Sequence, residues 1–263
     1  MGQKLYLECY SGISGDMTVA ALSGLMKDRT PLFCVLDHMP VEGFSYELKQ
    51  VKKSGIDAWD FLVKLDAEHE NHDHDMEYLH GHSHTHDHDH HHGHEHHQDH
   101  AETAGHHHDP VQAEVMHAQE ETGHEEHHHH HHEHRGLGDI FPIIDRCDMT
   151  DTAKELAKDI FRILAKAEAK AHNVPEDQVH FHEVGAVDSI VDILSVAICM
   201  DDLDVEEVIV PRLCEGSGTI RCQHGILPVP VPAVSNIVSA HHLKLHITPV
   251  SYTHLRAHET DSY

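Results

Sequence analysis

The 263-residue sequence has little positive charge: 18 lysine and arginine residues stand against 46 aspartate and glutamate residues, for a formal net charge of −28. Nucleic acids and anionic membranes are bound by basic surfaces, so this deficit argues against both as main partners. The sequence also lacks a run of about 18 uncharged apolar residues, so we predict no membrane span. Glu8 precedes any apolar run near the start, so we expect no secretory signal.

The six cysteines form no CxxC pair and no dense framework. This spacing favours reduced thiols that pack as small apolar side chains. Together with the lack of a secretory signal, it predicts a cytoplasmic protein.

Histidine is concentrated in one segment. Residues 69–134 hold 27 of the 37 histidines and 16 acidic residues, with no lysine or arginine. Imidazole is a ready ligand for nickel, zinc, copper or cobalt, and so few apolar residues cannot offset the entropy of ordering. We therefore predict that this segment is a disordered metal-binding insertion. The alternatives are a solubilising linker and, given six consecutive histidines at 127–132, an engineered tag. The candidate ligands in it are His82, His84, His86, His88, His90, His128 and His130.

Strand and helix patterns interleave on both sides of this insertion. Apolar alternation predicts strands at residues 4–9, 44–51, 58–65, 179–182, 208–213 and 243–247. Helical spacing predicts helices starting at Asp16 and at residue 150 or 151, and spanning residues 187–200 and 233–240. The order predicts an α/β or α+β fold with a mixed sheet packed with helices. Residues 1–68 and 135–249 would be the two halves of that domain.

The segment with the most chemical character is HFHEVGAVDSIVD, residues 180–192. His180 and His182 would share one face of a strand, and Asp188 and Asp192 one face of the next helix. Glu183 lies on the connection. These residues form either a divalent-metal or active site, or a hydrogen-bonded polar network with a capping carboxylate.

Two glycine-rich turns are further candidates. Ser11, Gly12, Ser14 and Gly15 lie between a strand and a helix, where backbone N–H groups can hold a phosphate, although Asp16 is alternatively a simple N-cap. The second turn, residues 215–219 with His224, either adds to the same pocket or forms only a hairpin.

These segments together resemble one family. Residues 5–17 (LYLECYSGISGDM), residues 180–192, and the GSGT, HG and PVP motifs at 216–219, 224–225 and 228–230 resemble the LarC family, the pyridinium-3,5-bisthiocarboxylic acid mononucleotide nickel insertion proteins. The internal histidine-rich stretch is also typical of that family. The resemblance covers about residues 3–249, in order.

The resemblance implies an enzyme of the lyase class that inserts Ni²⁺ into a thiolated pyridinium mononucleotide, consuming CTP with Mg²⁺ or Mn²⁺ and releasing CMP and pyrophosphate. The product would be the nickel-pincer cofactor of lactate racemase, so proteins of that maturation pathway are expected partners, and a homo-oligomer is possible. Because bonding nickel to carbon displaces a proton, a base is needed. Asp16, Glu183 and His224 are its candidates.

Two features depart from the family pattern. The family's C-terminal domain, which carries CTP binding and oligomer contacts, is expected to be absent, and residues 250–263 are predicted to be a non-native tail. We therefore expect that this chain by itself does not turn over CTP. Alternative functions are nickel storage or metallochaperoning without catalysis, and metal-dependent phosphohydrolysis.

Overall fold

The computed structural model describes residues 2–53, 55–66, 135–181, 186–222 and 224–248. All of them fall in one structural unit. The predicted insertion and the predicted tail lie outside the described residues. In chain order the elements are β1 (Gln3–Tyr6), α1 (Gly15–Leu25), α2 (Thr30–Asp37), β2 (Phe44–Lys53), β3 (Ile56–Leu65), α3 (Leu137–Arg146), α4 (Asp151–His172), a 3₁₀ turn (Glu176–Gln178), α5 (Val187–Asp202), β4 (Val205–Ile209), β5 (Leu213–Glu215), β6 (Gly218–Cys222), β7 (Gly225–Val229), α6 (Pro232–Ala240) and β8 (Leu245–Ile247).

The strands form parallel and antiparallel pairs. β1 pairs with β4 and β5 with β8, both in parallel, and a parallel bridge between Cys9 and Leu213 connects the two pairs. β2–β3 and β6–β7 are antiparallel hairpins. Parallel pairs need crossover connections, which the helices supply. The predicted mixed α/β fold class is thereby confirmed.

The core is built around α5. Ile190 and Leu194 of this helix are fully buried, as are Phe161 of α4 and Leu22 of α1. The face of α4 toward the core is rich in alanine, whose small side chain lets two helices approach closely. Among the described helices, none has both the length and the hydropathy that crossing a bilayer requires.

Two predicted strands differ most from the structure, although those predicted at 4–9 and 243–247 are also shorter, as Gln3–Tyr6 and Leu245–Ile247. The strand predicted at 208–213 is divided, with β4 ending at Ile209 and β5 beginning at Leu213. Pro211 lies between them and has no N–H to donate to a ladder. In the strand predicted at 179–182, the described residues make only one bridge, between Phe181 and Arg135.

Candidate functional site

Both glycine-rich turns begin at one edge of the parallel strands. The backbone N–H of Cys214 donates to the carbonyl oxygen of Cys9 over 3.1 Å. The turn before α1 starts after Cys9, and the turn before β6 starts after Glu215. Since the two strands run in parallel, both turns leave from their carboxyl ends, where α/β folds commonly bind ligands.

The turn before α1 ends in a polar cluster at the start of the helix. The Ser14 hydroxyl donates to the Asp16 carboxylate, which also accepts from the Met17 N–H over 2.7 Å. A Cβ atom added to Gly15 would collide with the carboxylate of Asp192 on α5, so only glycine fits here without a shift. The structure thus brings Gly15 against the carboxylate of Asp192, which lies 177 residues later in the sequence.

This cluster carries negative charge at a helix N-terminus. The positive end of the α1 dipole stabilises the Asp16 carboxylate. Asp188 lies one helical turn before Asp192, and its carboxylate accepts from the Ser189 N–H over 2.8 Å. Carboxylates repel a bare phosphate and attract a divalent cation, so the cluster favours a phosphate accompanied by a metal ion over a phosphate alone.

The predicted histidine pair is only partly described. His180 is exposed between the buried side chains of Val179 and Phe181. His182 and Glu183 lie outside the described residues, as do the seven candidate ligands of the insertion. In the described ranges, no three His, Cys, Asp or Glu side chains are grouped so that they could hold a metal ion.

The His224 turn instead lines a cavity of about 400 Å³, mostly apolar, whose lining includes Phe181 of the core cluster. The size suits a small ligand. Its lining comes from the end of α4, the β6–β7 hairpin and the start of α6. The lining residues are Glu168, Ala171, His172, Phe181, Glu215, Ile220, Cys222, His224, Leu227 and residues 229–234.

Two imidazoles meet in this cavity. The ring centroids of His172 and His224 are 4.8 Å apart, with 54° between the ring planes. Glu168, one turn earlier on α4, has its Oε2 atom 3.5 Å from Nε2 of His172. His224 was a sequence-level candidate, whereas Glu168 and His172 were missed. Their i, i+4 spacing at the end of a helix was the available signal.

Comparisons with known proteins agree on one family. A family model described as "Nickel insertion protein" matches residues 5–257. A relative from Alkaliphilus metalliredigens is 46% identical over 248 residues, covering 94% of this chain and 48% of its own length. One from Acetivibrio thermocellus is 50% identical over 230 residues, covering 88% and 43%. Both are called pyridinium-3,5-bisthiocarboxylic acid mononucleotide nickel insertion protein.

The chain spans about half the length of these curated relatives. A third relative of the same name, from Lactiplantibacillus plantarum, is 38% identical over 232 residues, which cover 88% of this chain and 45% of the relative's own length. No solved structure matches the chain.

Proposed function

Because the chain belongs to the nickel insertion protein family, we propose that it forms the nickel-handling portion of an enzyme that inserts nickel into pyridinium-3,5-bisthiocarboxylic acid mononucleotide. The names of the relatives support this substrate. The observation that carries the proposal is the polar turn at the start of α1, where Ser14 bonds to Asp16 and Gly15 lies against the carboxylate of Asp192.

The cluster offers two of the functions that the reaction needs. The Ser11–Gly15 turn would hold the nucleotide phosphate, and Asp16 or Asp192 would hold a divalent cation that offsets the phosphate charge. Nickel insertion forms a nickel–carbon bond at a ring position that loses its proton. A carboxylate or imidazole accepts that proton, and Asp16, Glu183 and His224 remain the candidates.

The finer features extend the proposal. CTP, with Mg²⁺ or Mn²⁺, drives the insertion and yields CMP and pyrophosphate, and insertion of a metal into an organic ligand is a reaction of the lyase class. The histidine-rich residues 69–134 collect Ni²⁺, and the segment from His180 to Asp192 receives it. The product matures lactate racemase in the cytoplasm, and oligomerisation involves the remaining half of the relatives' length.

The test is an insertion assay with the full chain. The thiolated mononucleotide, Ni²⁺, Mg²⁺ and CTP are supplied with and without the remaining half of a relative, and the nickel-containing nucleotide is measured by mass spectrometry. We expect product when both halves are present. Asp16→Asn should reduce it strongly, whereas Asp28→Asn, which changes an exposed loop carboxylate bonded to Thr30, should not.

Two outcomes would contradict the proposal. Nickel bound without any product, with both halves present, would indicate a storage protein or metallochaperone. Phosphate released from nucleotides in the absence of the thiolated substrate would indicate a metal-dependent phosphohydrolase.

A further inference from the structure

The cavity beside Phe181 is a favourable place for a cation. His172 is the last residue of α4, a 22-residue helix, so the negative end of the helix dipole lies at the cavity wall. Glu168 and Glu215 add two carboxylates. Carboxylates in a cavity wall attract a cation.

The two imidazoles in the cavity are spaced for a shared metal ion. A nitrogen ligand lies about 2.0–2.1 Å from a borderline divalent metal, which puts two ring centroids roughly 4.4 to 5.1 Å apart for ligand angles between square and tetrahedral. The centroids of His172 and His224 are 4.8 Å apart. Imidazole nitrogen suits nickel among the first-row metals.

The backbone holds both rings in place. His172 precedes Asn173, which closes α4 in a left-handed conformation at φ 55° and whose N–H bonds back to Ala169. His224 occupies the β6–β7 turn, where Gly225 adopts φ 90°. The two rings are therefore brought together by two elements distant in sequence.

We propose that His172 and His224 jointly bind one Ni²⁺ ion and leave its other coordination positions open to the cavity. A metal that must be passed on needs a position for an incoming sulfur, and the cavity offers space for such a ligand. This purpose rests on the proposed function, whereas the binding itself does not.

Glu168 is a positioning residue in this arrangement. A carboxylate beside one ring nitrogen fixes the tautomer and directs the other nitrogen to the metal. Oε2 of Glu168 lies 3.5 Å from Nε2 of His172, an ion-pair distance, and nickel would then bind Nδ1. With His224 as a ligand, the base for the insertion step is left to Asp16 or Glu183.

Site-resolved histidine labelling tests the shared ion. The full chain is titrated with Ni²⁺ alone, treated briefly with diethyl pyrocarbonate, and the modification of each histidine is measured by peptide mass spectrometry. We expect labelling of His172 and His224 to fall together at one nickel concentration. His38, at the end of α2 and outside the cavity, is the internal control and should stay labelled.

Substitutions then test whether protection is mutual. His224→Ala should abolish nickel protection of His172, and His172→Ala that of His224, whereas His38→Ala should change neither. Glu168→Gln keeps both ligands and should raise the protecting nickel concentration roughly 10- to 100-fold. Circular dichroism checks that each variant folds. If either alanine variant unfolds, the change in the protecting nickel concentration of Glu168→Gln decides whether the shared site exists.

Results that contradict the shared nickel site can be distinguished from results that contradict the proposed function. Protection of one histidine that persists without the other, or an unchanged midpoint in Glu168→Gln, would overturn the shared site even if nickel insertion proceeds. Mutual protection in a chain that yields no product when the remaining half of a relative is supplied would uphold the site and overturn the proposed function.

Discussion

Gly24 of α1 is a glycine that packing requires. A Cβ atom there would lie 2.6 Å from Cδ1 of Trp59, whose ring also carries the Arg29 guanidinium 4.0 Å from its centroid. We expect Gly24→Ala to lower the free energy of unfolding by about 1–3 kcal/mol through overpacking. Gly138→Ala in α3 meets nothing within 4 Å and should instead raise it by up to about 1 kcal/mol. Urea denaturation measures both, and equal effects would contradict the packing argument.

Thiol reactivity should divide the cysteines by burial. Burial, with a smaller effect of Asp202, raises the pKa of Cys199 to about 12, and burial raises that of Cys147 to about 11. Cys34 is exposed. Because the thiolate is the nucleophile, iodoacetamide at pH 8 should label Cys34 and spare Cys147 and Cys199 in the native chain. Peptide mass spectrometry reads this out, with labelling in urea as the control; native labelling of Cys199 at the rate of Cys34 would refute the prediction.

The same shifts set an alkaline limit on stability. In the unfolded chain a thiol ionises above its ordinary pKa of 9.0, whereas buried Cys199 keeps its proton. The unfolded state then binds fewer protons than the native state, so the free energy of unfolding falls as the pH rises above 9.

At the scale of elements, α4 carries His172 to the cavity and is fixed at its start by Thr150. The Thr150 hydroxyl accepts from the Ala153 N–H over 3.1 Å and donates to Asp201 of α5 over 2.6 Å. We expect Thr150→Ala to lower the free energy of unfolding by about 1 kcal/mol. Thr150→Ser keeps the hydroxyl and should change it little. Thermal and urea denaturation of the two variants give the comparison. If Thr150→Ser lowers the free energy of unfolding as much as Thr150→Ala does, a capping role is excluded.

The elements with strong local signals were predictable from sequence. The helix predicted at 187–200 is observed as Val187–Asp202, and the β2–β3 hairpin encloses both predicted strands. Prediction was poor where pairing depends on distant residues. Apolar residues on both sides of Pro211 indicated one strand, but β4 pairs with β1 and β5 with β8, so the register of two different partners sets its ends.

At the scale of the whole molecule, the candidate site was recoverable in part. Sequence motifs marked the Gly/Ser turn and the α5 carboxylates, and the fold brings Gly15 and Asp192 into contact. The motifs did not reveal that His224 faces His172, because that contact joins a hairpin turn to the end of a helix 52 residues earlier. Such a pairing follows from tertiary packing, which local patterns do not encode.

The histidine-rich residues 69–134 supply the last prediction. In the proposed function, the many exchangeable imidazoles of this segment collect nickel and so raise its local concentration. The insertion step itself needs only a fixed site. Deleting residues 69–134 should therefore lower the number of Ni²⁺ ions bound per chain and reduce insertion at limiting nickel, yet leave insertion intact when nickel is abundant. A replacement of equal length with every histidine changed to asparagine is the control for spacing, and it should behave as the deletion does. Calorimetric titration and the two-half insertion assay give the readouts. Activity lost even in excess nickel would mean that this segment takes part in the chemistry and not only in delivery.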